Sequence, residues 1–179
     1  MGEWDYINNK KRVDSVLNVR VKECAPFENV YTLALRGLHD KAMNASNDMG
    51  DRRDMLQEAL MAQRQMLIDA IGKSGEEIPQ AFTPYKEVLD VYDEGLKLPD
   101  DVTIIWPDDN YGYMKRLSSP KEQKRSGRSG VYYHASYLGK PHDHLWMNTV
   151  SPTLMYEELR KAYDATADRI WLLNAGDIK

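Results

Sequence analysis

Charged, amide and aromatic side chains gather at four places in this chain of 179 residues. The first is Arg36-Gly-Leu-His39-Asp40, and the second is Pro107-Asp108-Asp109-Asn110-Tyr111-Gly112-Tyr113. The third is Tyr132-Tyr133-His134, with Lys140-Pro-His142-Asp143-His144 beyond it, and the fourth is Asn174-Ala-Gly-Asp177. A carboxylate in the second group is suited to general acid–base work or to accepting hydrogen bonds from sugar hydroxyls. Asp108 and Asp109 leave an extended run side by side, so they cannot point the same way. One can face a site while the other braces a loop; the plain alternative is a turn-forming Asp-Asn pair. Arg36 and His39 suit an anionic ligand, because a guanidinium grips a carboxylate in a bidentate fork. Trp106, Tyr111, Tyr113, Tyr133 and Trp146 supply flat apolar faces of the kind on which sugar rings stack. Aromatic rings also fill cores, and Trp106 and Trp171, which lie inside apolar runs, are assigned to packing.

Other chemistries find less support. His39 with His142 and His144 is an alternative metal cluster, but that spacing matches no strong zinc pattern. Cys24 has no histidine near it in sequence and is not expected to be a nucleophile. There is no P-loop and no Gly-x-Gly-x-x-Gly, so nucleotide binding is unsupported. No metal and no cofactor is expected.

The elements that must position these groups are legible from hydrophobic spacing. Residues 4–24 place Val13, Val16, Leu17 and Val21 at helical intervals, and Pro26 closes that helix. The run 30–35 is apolar and β-branched, as a buried strand requires. A long helix is predicted over 51–72, with Met55, Ala59, Ala62 and Met66 as its core stripe and Gly72 or Gly75 as its stop. Pro84 opens a shorter helix over 85–96. Strands follow at 102–106 and 131–134, and Ser151-Pro152 caps a helix reaching about residue 167, with Glu157 and Glu158 on its surface. A fourth strand covers 169–173. All four histidines fall at or beyond predicted strand ends. Four strands alternating with helices and apolar on both faces imply a parallel α/β sheet. A small doubly wound sheet and about half of a (β/α)8 TIM barrel both satisfy the pattern. Each places its chemistry at the carboxyl ends of the strands.

Composition narrows the partners. A net charge of −4 speaks against nucleic acid, and the short basic run 115–128 reads as a solvated face. No apolar run approaches the ~20 residues of a membrane span. The first twelve residues lack the apolar stretch of a secretion signal, and the chain stops within a few residues of a strand end, as a piece of a larger domain would. One cysteine excludes an internal disulfide framework.

The stretch Val102-Thr-Ile-Ile-Trp-Pro-Asp-Asp-Asn-Tyr-Gly-Tyr113 resembles glycoside hydrolase family 115, the α-glucuronidases that release glucuronic or 4-O-methylglucuronic acid from xylan. Tyr31-Thr-Leu-Ala-Leu-Arg-Gly-Leu-His-Asp40, Pro84-Tyr-Lys-Glu-Val88, Tyr132-Tyr-His134 and Asn174-Ala-Gly-Asp-Ile-Lys179 extend the likeness over essentially the whole chain. The resemblance implies a central fragment of a TIM-barrel catalytic domain, occupying residues 1–179, from a secreted or periplasmic multidomain enzyme. It implies inverting hydrolysis by two carboxyl groups ~6.5–9.5 Å apart. Asp108, Asp109 and Asp177 match the motif carboxylates, and Asp108 and Asp177 are the expected catalytic pair. Arg36, His39, Asn110, Tyr133, His134 and Asn174 match positions expected to hold the uronic acid. The expected partners are a glucuronoxylan-like polysaccharide and the rest of the parent chain, with a homodimer left open. The sequence departs from the family at Ala135-Ser136, where many members carry Phe-Asp, which leaves the glycan open. A non-catalytic α/β module that binds acidic glycans is the alternative.

Overall fold

The computed structural model describes residues 4–38, 41–139, 145–146 and 148–176. The chain forms two compact units, Met1–Phe82 with Lys86–Val102, and Thr83–Tyr85 with Thr103–Lys179. Strands and helices alternate along the first, a single short 3-10 turn (Glu122–Lys124) stands between the first two strands of the second, and each strand pair described below is parallel, so the expected α/β class holds.

The first unit contains α1 (Tyr6–Cys24), β1 (Tyr31–Thr32), α2 (Met49–Ile71), β2 (Gln80–Phe82) and α3 (Glu87–Asp93). Asp5 caps α1 by accepting from the backbone of Ile7 and Asn8, and Asp48 caps α2 through Asp51 N. Gly72 ends α2 with φ 74°, a left-handed conformation that glycine adopts without strain. The buried face of α2 is Leu56, Ala59, Leu60, Gln63 and Leu67. The core stripe is therefore turned from the one expected: Met55, Ala62 and Met66 are only partly covered. β1 is shorter than the apolar run that encodes it. After Leu33 N bonds Ala81 O, the Gln63 amide takes both backbone groups of Ala34, accepting from its N–H at 3.0 Å and donating to its carbonyl at 2.8 Å. A side chain thus stands where a strand partner would.

β2, which pairs with β1, is not apparent from the sequence. It has three residues, too few for a period, and begins with a glutamine. Gln80 is tolerated at 2% exposure because its amide donates to Gly75 O and Ile78 O and accepts from Arg64. α3 starts at Glu87 rather than directly behind Pro84, because Lys86 takes φ 52° and ψ −123° and interrupts the helical path.

The second unit contains β3 (Thr103–Pro107), β4 (Ser129–His134), α4 (Pro152–Asp164) and β5 (Ala167–Asn174). β4 pairs with both β3 and β5. Ser151 caps α4 by accepting from Leu154 N, with Pro152 in the first turn. Val131, Tyr133, Val150, Ala162 and Ala167 form a buried cluster beside Leu154, Met155 and Leu159. Glu158 belongs to this interior rather than to the surface: it is 5% exposed and accepts from Met114 N at 2.8 Å and from Lys161. Trp106 is fully buried as expected, whereas Trp171 is 47% exposed and does not pack as the sequence suggests. Among the described residues no helix is long and apolar enough to cross a membrane.

Candidate active site

The carboxyl ends of β3, β4 and β5 bring one polar and aromatic cluster together in the second unit. Asp108 is the first residue past β3. Its Oδ1 accepts from Asn110 N at 3.0 Å and lies 2.5 Å from His134 Nδ1. Its Oδ2 accepts from Gly112 N at 3.0 Å and from His134 N at 3.1 Å. Four donors thus surround a carboxylate whose side chain has no exposed area. Asp109 points elsewhere, as alternation demands, and its Oδ1 accepts from Tyr111 N at 3.0 Å and Tyr113 N at 3.1 Å. Both aspartates therefore brace the loop, and Asp108 also holds a histidine.

Three rings enclose the His134 imidazole. Tyr132 lies with its centroid 4.6 Å away, Tyr137 meets it edge-on at 5.3 Å, and Tyr85 stacks at 6.4 Å. The Tyr85 hydroxyl donates to Asn110 Oδ1 at 3.0 Å, and the Asn174 amide donates to the Tyr132 hydroxyl at 3.0 Å. Asn110 adopts φ 72°, a left-handed conformation that asparagine tolerates better than most residues. Asn174 lies opposite His134 in the β4–β5 register, and its carbonyl accepts from Ala135 N and Ser136 N.

Asp108, Asn110, His134 and Asn174 thus gather as the sequence motifs suggest, and Tyr133 does not join them. Its neighbours in β4, Tyr132 and His134, project from one face of the strand, and Tyr133 projects from the other into the cluster packed by α4. There its hydroxyl donates to Gly112 O at 3.0 Å. Burial, helped by the nearby Asp108 charge, pushes that hydroxyl up to about 12, so it stays protonated and keeps donating. Tyr132 and Tyr85 are the residues the sequence reading missed. Strict alternation from His134 points to Tyr132; Tyr85 lies in the Pro84–Val88 stretch that carries the family resemblance, but neither its type nor its spacing marks it for this cluster.

Arg36 stands in the first unit, after β1. Its guanidinium meets Glu87 in a fork, Nε to Oε1 at 3.1 Å and Nη2 to Oε2 at 3.2 Å. Arg36 thus pairs with a carboxylate of this chain. His39, His142, His144 and Asp177 lie outside the described residues. Among the described residues no three histidine, cysteine, aspartate or glutamate side chains gather as a metal site would require.

An imidazole that is 1% exposed and ringed by tyrosines, together with the partly exposed amides of Asn110 and Asn174 bonded to two of those tyrosines, offers donors and acceptors suited to a ligand rich in hydroxyl groups. The family model described as glycosyl hydrolase family 115 matches residues 1–179. A solved structure titled as a novel family GH115 4-O-methyl-alpha-glucuronidase, BtGH115A, with specificity for decorated arabinogalactans superposes with a TM-score of 0.95 at 45% identity. The match covers 100% of this chain and 24% of that one, so this chain spans about a quarter of that protein's length. No curated protein matches.

Proposed function

Because the chain belongs to glycoside hydrolase family 115, we propose that the protein carrying it removes α-1,2-linked glucuronic or 4-O-methylglucuronic acid from a decorated polysaccharide with inversion. The observation that carries this reading is 45% identity, sustained over the whole chain, to a 4-O-methyl-alpha-glucuronidase. The chain supplies part of a (β/α)8 barrel, and the residues beyond β3, β4 and β5 form part of its pocket. Asn110, His134 and Asn174 contact the sugar. Asp177, three residues past Asn174 at the carboxyl end of β5, serves as one of the two carboxyl groups of an inverting pair.

Glucuronoxylan is the first substrate to test, with decorated arabinogalactan beside it. Two observations favour including the second: the specificity of the solved relative for decorated arabinogalactans, and the Ala135-Ser136 departure. The full-length protein should release the uronic acid from at least one polymer, initially as the β-anomer, which proton NMR of the fresh product reads directly. Changing Asp177 to Asn should lower kcat by about 10²–10⁴-fold while the protein stays folded. Release of the α-anomer would exclude inversion. Retention of both glycans on the protein with no hydrolysis would favour the binding module instead.

A further inference from the structure

We infer that Asp108 is a positioning residue that fixes the tautomer of His134, so that Nε2 meets a sugar hydroxyl as a hydrogen-bond acceptor. The inference rests on the glycosidase reading for the identity of the ligand, but its geometric part stands apart from it. Asp108 Oδ1 lies 2.5 Å from Nδ1 inside a carboxylate that has no exposed area, so the proton of a neutral ring belongs on Nδ1. Nε2 then carries the lone pair, and among the described residues no group bonds it. The backbone N–H groups of Asn110, Gly112 and His134 occupy the remaining acceptor capacity of Asp108. With all four contacts made, the carboxylate has no oxygen directed at a substrate and acts through the histidine. Tyr85 stacked on the ring, Tyr132 tilted against it and Tyr137 edge-on to it fix its plane, and the aspartate fixes its proton.

The same contacts state what an asparagine would do. An amide nitrogen in place of Oδ2 would face two backbone donors, but in place of Oδ1 it faces only Asn110 N. It therefore takes the Oδ1 place and donates to Nδ1, and the proton of the neutral ring moves to Nε2. A donor would then stand where the sugar hydroxyl needs an acceptor. A buried Asp–His couple in serine proteases behaves this way when its aspartate becomes asparagine.

The test uses the full-length protein with isotope-labelled histidine, the His134 signal being assigned by its loss in His134→Asn. Ring-nitrogen chemical shifts should show the proton on Nδ1 in the wild type and on Nε2 in Asp108→Asn. The asparagine of His134→Asn reaches about where Nδ1 lies, so it can keep the bond to Asp108 while offering nothing at Nε2. Both variants should melt cooperatively, with kcat/KM for uronic acid release lowered about ten- to a hundredfold. A wild-type proton on Nε2, an unchanged tautomer in Asp108→Asn, or full activity in His134→Asn would overturn the assignment. Should Asp108→Asn fail to fold, the wild-type tautomer and the His134→Asn activity still decide. If the wild type releases no uronic acid while the tautomers switch as described, the glycosidase reading falls and the hold of Asp108 on His134 stands.

Discussion

The hydroxyl of Tyr133 is buried beside the Asp108 carboxylate, and both features disfavour the phenolate. A pKa raised from 10.0 to about 12 in the folded protein means that this group favours folding fully below pH 10. Above that the unfolded chain loses the proton first, and the contribution disappears as pH rises through about 12. Tyr133→Phe should therefore lower stability at neutral pH by about 1–3 kcal/mol, since Gly112 O loses its donor inside the protein. It should also flatten the loss of stability between pH 10 and 12 relative to the wild type. Urea unfolding followed at several pH values measures both effects; parallel curves for the two proteins would show that the hydroxyl carries no such linkage. Two adjacent tyrosines thus take opposite work. Tyr132 faces the imidazole and Tyr133 braces a loop, a division that alternation in β4 dictates once His134 is placed.

At the scale of elements, capping residues and apolar runs were readable because their causes are local. Ser151 with Pro152, and Gly72, mark helix ends by chemistry confined to one turn, and the structure places them there. What the sequence left hidden has tertiary causes. β2 exists because β1 offers it a ladder, and the stripe of α2 depends on long-range contacts such as that of Gln63 with Ala34. The early start foreseen for α3 fails at one residue, Lys86, whose left-handed φ no local signal announces. For the candidate site, the strand-end motifs located Asp108, Asn110, His134 and Asn174. Tyr85 stood outside every motif of chemistry, because its hydrogen bond to Asn110 spans 25 positions of sequence. Gly130 is another long-range demand. A Cβ there would lie 2.1 Å from Ile170 O and 2.9 Å from Ile105 Cδ1, so the backbones of β4 and β5 meet where only glycine fits. The register shift between Ser129 and Val131 falls at the same place. Gly130→Ala should cost about 3 kcal/mol, and thermal unfolding will test it. An unchanged melting temperature would mean that the two strands can separate there at little cost.

At the scale of the whole molecule, the second unit leaves β5 unfinished. Trp171, Leu172 and Leu173 are 47%, 48% and 61% exposed, so both faces of the strand are open, and among the described residues nothing pairs with its far side. Beside it a groove of about 420 Å³ runs along α4, lined by Met155, Tyr156, Leu159, Tyr163 and Trp171. An apolar strand with an unpaired edge invites association. A barrel abolishes such an edge by adding the next strand and helix, and the solved relative is about four times as long as this chain. These facts predict opposite signs for one substitution in two settings. In the 179-residue chain alone, Leu173→Lys should reduce self-association, as sedimentation at rising concentration will show. In a full-length protein whose sheet continues past β5, the same lysine must be buried beside new chain and should lower stability by about 2 kcal/mol or more. A single sharp dimer of the isolated chain, unaffected by Leu173→Lys, would instead support the homodimer that the sequence left open and place its contact away from β5. If the lysine is neutral in the full-length protein as well, then β5 is an outer edge there too, and the continuation of the barrel beyond it is wrong.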